Sequence, residues 1–263
     1  DVQDDGLLNL DVFKAALRPD TILVSVMFVN NEIGVIQDIP AIGAICREKG
    51  IVFHVDAAQA TGKLPIDLNT LPVDLMSLAS HKTYGPKGIG ALVLRRGVDF
   101  DPVLKGGGQE MGRRAGTENL IGIAGFGAAA EAAARDLADG VWERVAELRN
   151  TLNQALSFEG FNTISVGNSA ARLPNTLCLI APHWKGETQV MVMDLAGFAI
   201  SAGSACSSGK VRASKTLQAM GYDEILAGQA IRISLGPTTT EDVVLRFAEA
   251  WGREYKRILA RVA

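Results

Sequence analysis

The stretch Ser80-His81-Lys82-Thr83-Tyr84-Gly85-Pro86-Lys87-Gly88-Ile89-Gly90 places a lysine directly before a glycine-rich turn. An apolar run, residues 73–79, precedes this stretch, and a second run, residues 91–94, follows it. A lysine where a strand ends beside a tight turn is held in place, and a held amine can form a Schiff base. The stretch therefore predicts a strand with a reactive lysine at its end.

The preceding residues predict a βαβ unit. Residues 22–29 form a continuous β-branched and apolar run, which is typical of a strand covered on both faces. Residues 39–49 have helical spacing, with a proline in the first turn and a glycine as the stop. Residues 51–55 form a second strand that ends at Asp56. This order indicates a parallel sheet.

Polar side chains fall at or just past the ends of the three predicted strands. They are Asn31, Asp56, Gln59, Ser80, His81 and Lys82. In open parallel sheets, ligands bind beyond the carboxyl ends of the strands. We therefore expect these side chains to meet at one edge of the sheet.

Composition narrows the classes of function. The chain has 263 residues, which is enough for one or two domains with a sizeable core. Its net charge is -3, so neither nucleic acid nor an anionic membrane surface is expected as a partner. It has no apolar run of about 18 residues, so no membrane span is expected. Its three cysteines lack metal-type spacing and predict reduced thiols in the cytoplasm.

The second half of the chain predicts a smaller domain. Helical patterns and short apolar runs alternate in it. The predicted helices are 117–138, 142–158, 188–196, 214–220 and 239–262, and the predicted strands are 162–166, 175–180, 199–201 and 230–235. We predict an α/β protein with a large domain over residues 1–135 and a smaller α+β domain over residues 136–263.

Asp56 and Lys82 together suit pyridoxal phosphate. This cofactor is held by a lysine amine and needs a carboxylate beside its ring nitrogen, which keeps that nitrogen protonated. Taken alone, a lysine near a turn is usually a solvated surface residue, and an aspartate after a strand is usually a cap. The pair, with His81 and the glycine turn, favours a cofactor site.

Several ordered motifs carry a family resemblance that covers nearly the whole chain. They are Val29-Asn30-Asn31-Glu32-Ile33-Gly34, His54-Val55-Asp56-Ala57-Ala58-Gln59, the stretch around Lys82, Gly106-Gly107-Gly108-Gln109-Glu110, Arg114-Ala115-Gly116-Thr117, Gly203-Ser204-Ala205-Cys206-Ser207-Ser208-Gly209 and Ile231-Arg232-Ile233-Ser234-Leu235-Gly236. The set resembles the cysteine desulfurases of iron–sulfur cluster assembly, which are pyridoxal-phosphate enzymes of the class V aminotransferase family. The resemblance implies the pyridoxal-phosphate-dependent transferase fold of type I, with a mostly parallel sheet in the large domain.

The resemblance implies a role for each site residue. Lys82 is the implied Schiff-base lysine and proton carrier at Cα, and Asp56 the partner of the pyridine nitrogen. Gln59 is implied to bind the phenolic oxygen, with Asn31 beside that oxygen and the substrate carboxylate. His81 and a neighbouring serine are the implied phosphate ligands.

Two further contacts concern the cofactor phosphate. The family usually has a serine three residues before the lysine, where this chain has Ala79, so Ser80 and Ser77 both stay candidates. Thr117 is implied to reach the phosphate of the other subunit's cofactor, which implies a homodimer.

Cys206 lies in a segment of small residues that cannot form a core element and that suits a thiol which must travel. Cys46 and Cys178 lie in apolar patterns that indicate the core. An incidental exposed thiol is the other interpretation of Cys206. The resemblance makes it the nucleophile that takes sulfur from L-cysteine and becomes a persulfide. In the family this cysteine can also meet cluster iron when an iron–sulfur scaffold protein docks.

Arg232, on the predicted strand 230–235, is the candidate substrate ligand. A guanidinium can hold a carboxylate through two hydrogen bonds, whereas the alternative is a surface arginine on an edge strand. The resemblance assigns Arg232 to the carboxylate of L-cysteine, which the implied reaction converts to L-alanine while the persulfide passes to an acceptor.

Other interpretations stay open. A selenocysteine lyase or another fold type I enzyme is one, and a catalytically silent remnant that binds partners or dimerises is another. The family also has a preceding N-terminal segment with a histidine that stacks on the cofactor and a phosphate-binding threonine turn. We therefore expect this chain to be part of a longer protein.

Overall fold

The computed structural model describes residues 2–158, 160–203 and 213–262. The chain divides into two compact units. Unit 1 comprises Asp1–Ala16, Val29–Gln37 and Gly140–Ala263, and unit 2 comprises Leu17–Phe28 and Asp38–Asp139. Two N-terminal segments thus belong with the C-terminal half, because the units follow contacts and not chain order. The domain division predicted between residues 135 and 136 stays a prediction.

The described chain contains both helices and strands. In chain order they are α1 (Leu10–Ala16), β1 (Leu23–Met27), α2 (Ile39–Glu48), β2 (Val52–Asp56), β3 (Leu75–Ala79), β4 (Gly90–Leu94), α3 (Leu120–Ala138), α4 (Val141–Leu156), β5 (Ile164–Ser165), β6 (Thr176–Ile180), α5 (Gly186–Leu195), β7 (Ser201–Ala202), α6 (Lys215–Ala219), α7 (Glu224–Ala227), β8 (Ala230–Ser234) and α8 (Glu241–Val262). Short 3-10 helices span Ser80–Thr83 and Gln109–Gly112. Among the described helices, none combines the length and the apolar character that a membrane span requires.

Unit 2 is built on a four-stranded sheet in the order β1-β2-β3-β4. β1, β2 and β3 are parallel, and β4 runs antiparallel to β3. The predicted βαβ unit is confirmed as β1, α2 and β2. Its helix begins where the Asp38 carboxylate accepts the Ala41 N–H at 3.0 Å. β4 is antiparallel because the link between β3 and β4 is too short for a parallel crossover.

The first strand is shorter than the predicted run 22–29. β1 ends at Met27, and the Phe28 N–H still donates to the carbonyl of Asp56 at 2.8 Å. The Asn30 side-chain oxygen then accepts the N–H groups of Glu32 and Ile33, at 2.9 and 3.1 Å. This Asx-type turn reverses the chain and ends the extended conformation.

Unit 1 contains an antiparallel sheet in the order β5-β6-β8-β7. β6 is buried along its whole length, and α4 and α8 pack together in the same unit. α8 buries Trp251 and Tyr255, which lie against Trp184 with ring centroids 5.5 and 6.0 Å away. The buried Gln189 amide accepts the Trp251 indole N–H at 3.0 Å, which satisfies a polar group inside this core.

Candidate functional site

The carboxyl ends of β2 and β3 carry the carboxylate and the amine of the predicted cofactor site. Asp56 is the last residue of β2 and is partly buried, and its Oδ1 accepts the Ala58 N–H at 2.9 Å. Lys82 lies in the 3-10 helix that directly follows β3, and it too is partly buried. Because β2 and β3 are parallel neighbours, both residues lie at the same edge of the sheet.

The turn that follows β2 contacts the segment that carries Lys82. It carries Gln59, which is partly buried, and Lys63, whose side chain is only 7% exposed. The Lys63 Nζ donates to the carbonyl of Gln59 and to the carbonyl of Lys82, each at 3.2 Å. The pKa of Lys63 is lowered to about 8, mainly by burial and to a lesser extent by the positive charge of Lys82.

Lys63 is a site neighbour that the sequence prediction missed. A lysine after a glycine in a polar turn has the sequence pattern of a solvated residue, and nothing in that pattern marks burial. The nearest signal is its spacing of four residues from Gln59, which suits a turn that returns to its own carbonyl.

The two candidate phosphate serines differ in their partners. The Ser77 Oγ is hydrogen-bonded to the Nε2 atom of His54 at 2.7 Å, and the Nδ1 atom of His54 meets the Ser25 Oγ at 2.7 Å. The Ser80 Oγ is fully buried and has no hydrogen-bond partner among the described residues. His81 is exposed. Ser80 therefore keeps an unsatisfied hydroxyl, whereas the hydroxyl of Ser77 is engaged on the face of the sheet.

Close packing against α3 fixes the segment that carries Lys82. A Cβ atom on Gly85 would lie 2.2 Å from the Ser80 Oγ and 3.0 Å from the Ala129 Cβ. A Cβ atom on Gly62, whose φ is +74°, would lie 2.9 Å from the Ala133 Cβ. The 3-10 helix and the turn after β2 thus approach α3 at distances that only glycine allows.

Thr117 lies in the exposed segment before α3. The neighbouring Gly116 has a φ of +99°, and the side chain of Arg114 donates to its carbonyl at 3.0 Å. The Arg114 Nη2 also pairs with the Glu110 carboxylate at 2.6 Å. These contacts hold the loop, and Thr117 itself is exposed.

Within unit 1, Arg232 projects from β8 toward the backbone of Asn31. Its Nη1 donates to the Asn31 carbonyl at 2.8 Å, and its Nη2 donates to the Ser201 Oγ at 3.3 Å. Its Nε is buried without a partner among the described residues. Asn31 and Arg232 are therefore neighbours, and the convergence of Asn31 with the residues of unit 2 stays a prediction.

The cysteines of the described chain are poor nucleophiles. The pKa of Cys178 is raised to about 12, mainly by burial and to a lesser extent by the negative charge of Glu32. Burial also raises the pKa of Cys46. Cys206 lies outside the described residues. Of the side chains that the structure describes, no group of three or more His, Cys, Asp or Glu residues could hold a metal ion.

A family comparison decides what this arrangement belongs to. The model of the aminotransferase class-V family matches residues 1–247. The chain belongs to the class-V aminotransferase family. The predicted fold class, an α/β pyridoxal-phosphate-dependent transferase of fold type I, is thereby confirmed.

Individual class-V relatives are similar over most of this chain. The cysteine desulfurase IscS of Dechloromonas aromatica (strain RCB) is 49% identical over 246 residues, which are 93% of this chain and 60% of that protein. IscS of Methylococcus capsulatus (strain ATCC 33009 / NCIMB 11132 / Bath) is 49% identical over 91% of this chain and 59% of its own length. The chain thus spans about 60% of the length of these curated relatives.

Solved structures agree with this comparison. A NifS-like protein from Rickettsia africae ESF-5 has a TM-score of 0.86 and 32% identity over 97% of this chain and 68% of its own. SspA in complex with cysteine has a TM-score of 0.73 and 32% identity over 91% of this chain and 66% of its own.

Class-V aminotransferases use pyridoxal phosphate, and the residues of unit 2 fit that cofactor. The edge of the sheet supplies an amine at Lys82, a carboxylate at Asp56 and an amide at Gln59, which match an aldehyde, a pyridine nitrogen and a phenolic oxygen. The Ser80 hydroxyl is a buried polar group without a partner among the described residues, and a phosphate oxygen is a partner of the right chemistry.

Proposed function

We propose that the protein to which this chain belongs is a pyridoxal-phosphate-dependent cysteine desulfurase, which converts L-cysteine to L-alanine and leaves a persulfide on the enzyme. The observation that carries the proposal is the placement of Asp56 and Lys82 at the ends of two adjacent parallel strands. The similarity to proteins named cysteine desulfurase IscS supports the choice of reaction.

Each residue has a proposed task at the cofactor. Pyridoxal phosphate, when bound, supplies an electron-accepting ring that stabilises the charge left when a bond at the substrate Cα breaks. The Lys82 amine holds the cofactor and moves the proton at Cα. Asp56 accepts a hydrogen bond from the protonated ring nitrogen, and Gln59 donates to the phenolic oxygen. Ser80 and His81 bind the phosphate.

The substrate is proposed to be bound through its carboxylate. Arg232 already donates to the backbone of Asn31 and to Ser201, and these two contacts orient the guanidinium. The Asn31 side chain is the proposed second ligand of that carboxylate. A planar guanidinium that is held in this way favours one orientation of an amino acid.

Sulfur transfer is proposed to use Cys206. Its thiolate attacks the substrate sulfur, so that an S–S bond forms and the bond between that sulfur and Cβ breaks. The transferred sulfur becomes the outer atom of the persulfide. The electron pair of the broken bond stays with Cβ, which takes up a proton and becomes the methyl group of L-alanine. The exclusion of Cys46 and Cys178 as buried thiols of raised pKa supports this choice.

The proposed partners follow from the same family. We propose a cytoplasmic homodimer in which Thr117 reaches the phosphate of the other subunit's cofactor. An iron–sulfur scaffold or another acceptor protein then takes the sulfur, and Cys206 can contact iron there. Exposed apolar side chains support a second copy, because Leu120 and Ile121 at the start of α3 are 72% and 87% exposed.

The experiment follows the site of attachment and the products separately. Pyridoxal phosphate is added to the chain, the mixture is reduced with borohydride, and peptide mass analysis identifies the modified lysine. We expect modification of Lys82 and, with L-cysteine and a reductant, equal amounts of sulfide and L-alanine. Lys82→Ala is the control that should take up no cofactor at this position.

Other outcomes separate the alternatives. A strong preference for selenocysteine over L-cysteine would indicate a selenocysteine lyase. Modification of Lys63 in place of Lys82 would overturn the assignment of the lysine. A chain that binds cofactor at neither lysine and releases no sulfide would be a catalytically silent remnant.

A further inference from the structure

Lys63 is a buried ammonium that the proposed reaction does not use. It is 7% exposed, and among the described residues it forms no ion pair with a carboxylate. Its partners are two main-chain oxygens, those of Gln59 and Lys82, each at 3.2 Å. Both partners belong to residues that the proposed function places at the cofactor.

The turn that carries Lys63 packs on the 3-10 helix at Gly62, where an added Cβ atom would lie 3.2 Å from the Thr83 Cγ2. Its own hydrogen bonds are local, with the N–H groups of Ala60 and Thr61 both donating to the carbonyl of Ala57 at 3.0 and 2.9 Å. The 3-10 helix also ends in a local hydrogen bond, in which the Gly85 N–H donates to the carbonyl of Ser80 at 3.0 Å. The Lys63 side chain therefore supplies a hydrogen bond that joins the turn to the 3-10 helix, while its second hydrogen bond stays within the turn.

The energetic cost of this arrangement argues against an incidental contact. Burying an ammonium without a carboxylate is unfavourable, and here the charge of Lys82 adds repulsion. A lysine in a turn could reach solvent with a simple rotamer change, because its stem is long and flexible. Charge-assisted hydrogen bonds to two carbonyls offset part of the cost and place the ammonium between the two segments.

We propose that Lys63 is a positioning residue whose ammonium joins the main chain of Lys82 to that of Gln59. It thereby fixes the distance between the Lys82 amine, which attaches the cofactor, and the Gln59 amide, which binds the phenolic oxygen. Its link to pyridoxal phosphate rests on the proposed function, whereas its effect on the two segments does not. A fixed main chain matters because a displacement of about 1 Å at a reacting group can cost roughly a hundredfold in rate.

The first test measures the two segments without any cofactor. Lys63→Met keeps an unbranched side chain that is one heavy atom shorter, and it removes the charge and all three N–H donors. We expect amide hydrogen exchange in residues 57–64 and 80–85 to become about tenfold faster, with exchange in β2 unchanged. The matched control is Lys49→Met, an exposed lysine after α2 in the same unit. Unchanged exchange in the two segments, or an equal increase in β2, would overturn the proposal.

The second test measures the binding of pyridoxal phosphate. We expect Lys63→Met to weaken binding about tenfold, or about 1.4 kcal/mol. The reason is that the Lys82 amine and the Gln59 amide are then no longer held at a fixed distance from each other. Lys63→Arg keeps the charge and the donors, so it should recover part of both the affinity and the slow exchange. Equal affinities for wild type and Lys63→Met would overturn the link to the cofactor.

The two tests also separate this inference from the proposed function. If wild type binds no pyridoxal phosphate and faster exchange is still confined to the two segments in Lys63→Met, the proposed function fails and the bridging role stands. If wild type binds the cofactor at Lys82 and exchange is unaffected by Lys63→Met, the proposed function stands and the bridging role is wrong.

Discussion

The burial of Lys63 predicts a specific dependence of stability on pH. In the folded chain its pKa falls from 10.5 to about 8, chiefly because burial disfavours the charged form. Below about pH 8 both the folded and the unfolded chain hold this proton, so the unfavourable burial of the charge is fully present. Between about pH 8 and 10.5 the folded chain has lost the proton and the unfolded chain still holds it. The free energy of unfolding therefore gains a contribution that rises with pH in this window.

The size of this contribution follows from the shift of the pKa. The change from 10.5 to about 8 corresponds to about 3 kcal/mol over the whole window, at about 1.36 kcal/mol for each pKa unit. About 1 kcal/mol of it should develop between about pH 7 and pH 9. In Lys63→Met the contribution disappears. We expect the difference in unfolding free energy, wild type minus variant, to rise by these amounts.

The assay must report on unit 2. Trp142, Trp184 and Trp251 all belong to unit 1, so tryptophan fluorescence would follow the wrong part of the chain. Cys46 in α2 is fully buried in unit 2 and becomes reactive only when that unit opens. Labelling of this thiol along a urea series, quantified by peptide mass, gives the unfolding free energy at each pH. The labelling rate of the fully unfolded chain at the same pH is the reference.

Other groups that titrate in this range cancel in the comparison. The raised pKa values of Cys46 and Tyr84, which both lie in unit 2, make its stability fall at high pH, but they do so equally in wild type and variant. Lys49→Met, at an exposed lysine of the same unit, is measured beside it as the control. A constant difference between wild type and Lys63→Met would show that Lys63 is not a buried charge, and it would refute the reasoning.

Three further predictions concern catalysis and packing. Cys206→Ser should abolish sulfide release while borohydride still traps pyridoxal phosphate on Lys82, because the serine cannot form a persulfide; loss of trapping would contradict the assigned role. Gly85→Ala should lower the unfolding free energy of unit 2 by about 1–3 kcal/mol, since its Cβ would lie 2.2 Å from the Ser80 Oγ. Gly127→Ala, where nothing lies within 4 Å of the added Cβ, should instead stabilise α3 by up to about 1 kcal/mol in the same thiol-labelling assay.

The sheet elements were predictable because their signal is periodic and local. The βαβ unit of β1, α2 and β2 was predicted from apolar runs of strand length on both sides of an amphipathic helix. The end of β1 was missed because the apolar run continues to Val29, whereas the side chain of Asn30 forms a turn. A hydrogen bond between a side chain and its own backbone does not alter the apolar pattern, so only the type of residue could have indicated it.

The candidate site was predictable where its residues follow strands. Asp56 and Lys82 are identified by their positions after two apolar runs, and a parallel sheet brings such positions to one edge. Lys63 was not predictable, because its burial depends on contacts between segments that are distant in sequence. The same limit applies to Ser77 and Ser80, since only the contacts of His54 show which of the two hydroxyls is engaged.

Packing against α3 brings together the two segments that Lys63 joins. Gly62 and Gly85 let the turn after β2 and the end of the 3-10 helix approach α3 so closely that a Cβ atom on either glycine would clash. The same turn carries Lys63, whose Nζ donates to the carbonyl of Lys82 in the 3-10 helix at 3.2 Å. An added methyl group at Gly85 should therefore disturb more than local packing. It should separate the two segments and lengthen the contact between Lys63 and the Lys82 carbonyl, so packing at α3 and the geometry of the attachment lysine are linked through one ammonium.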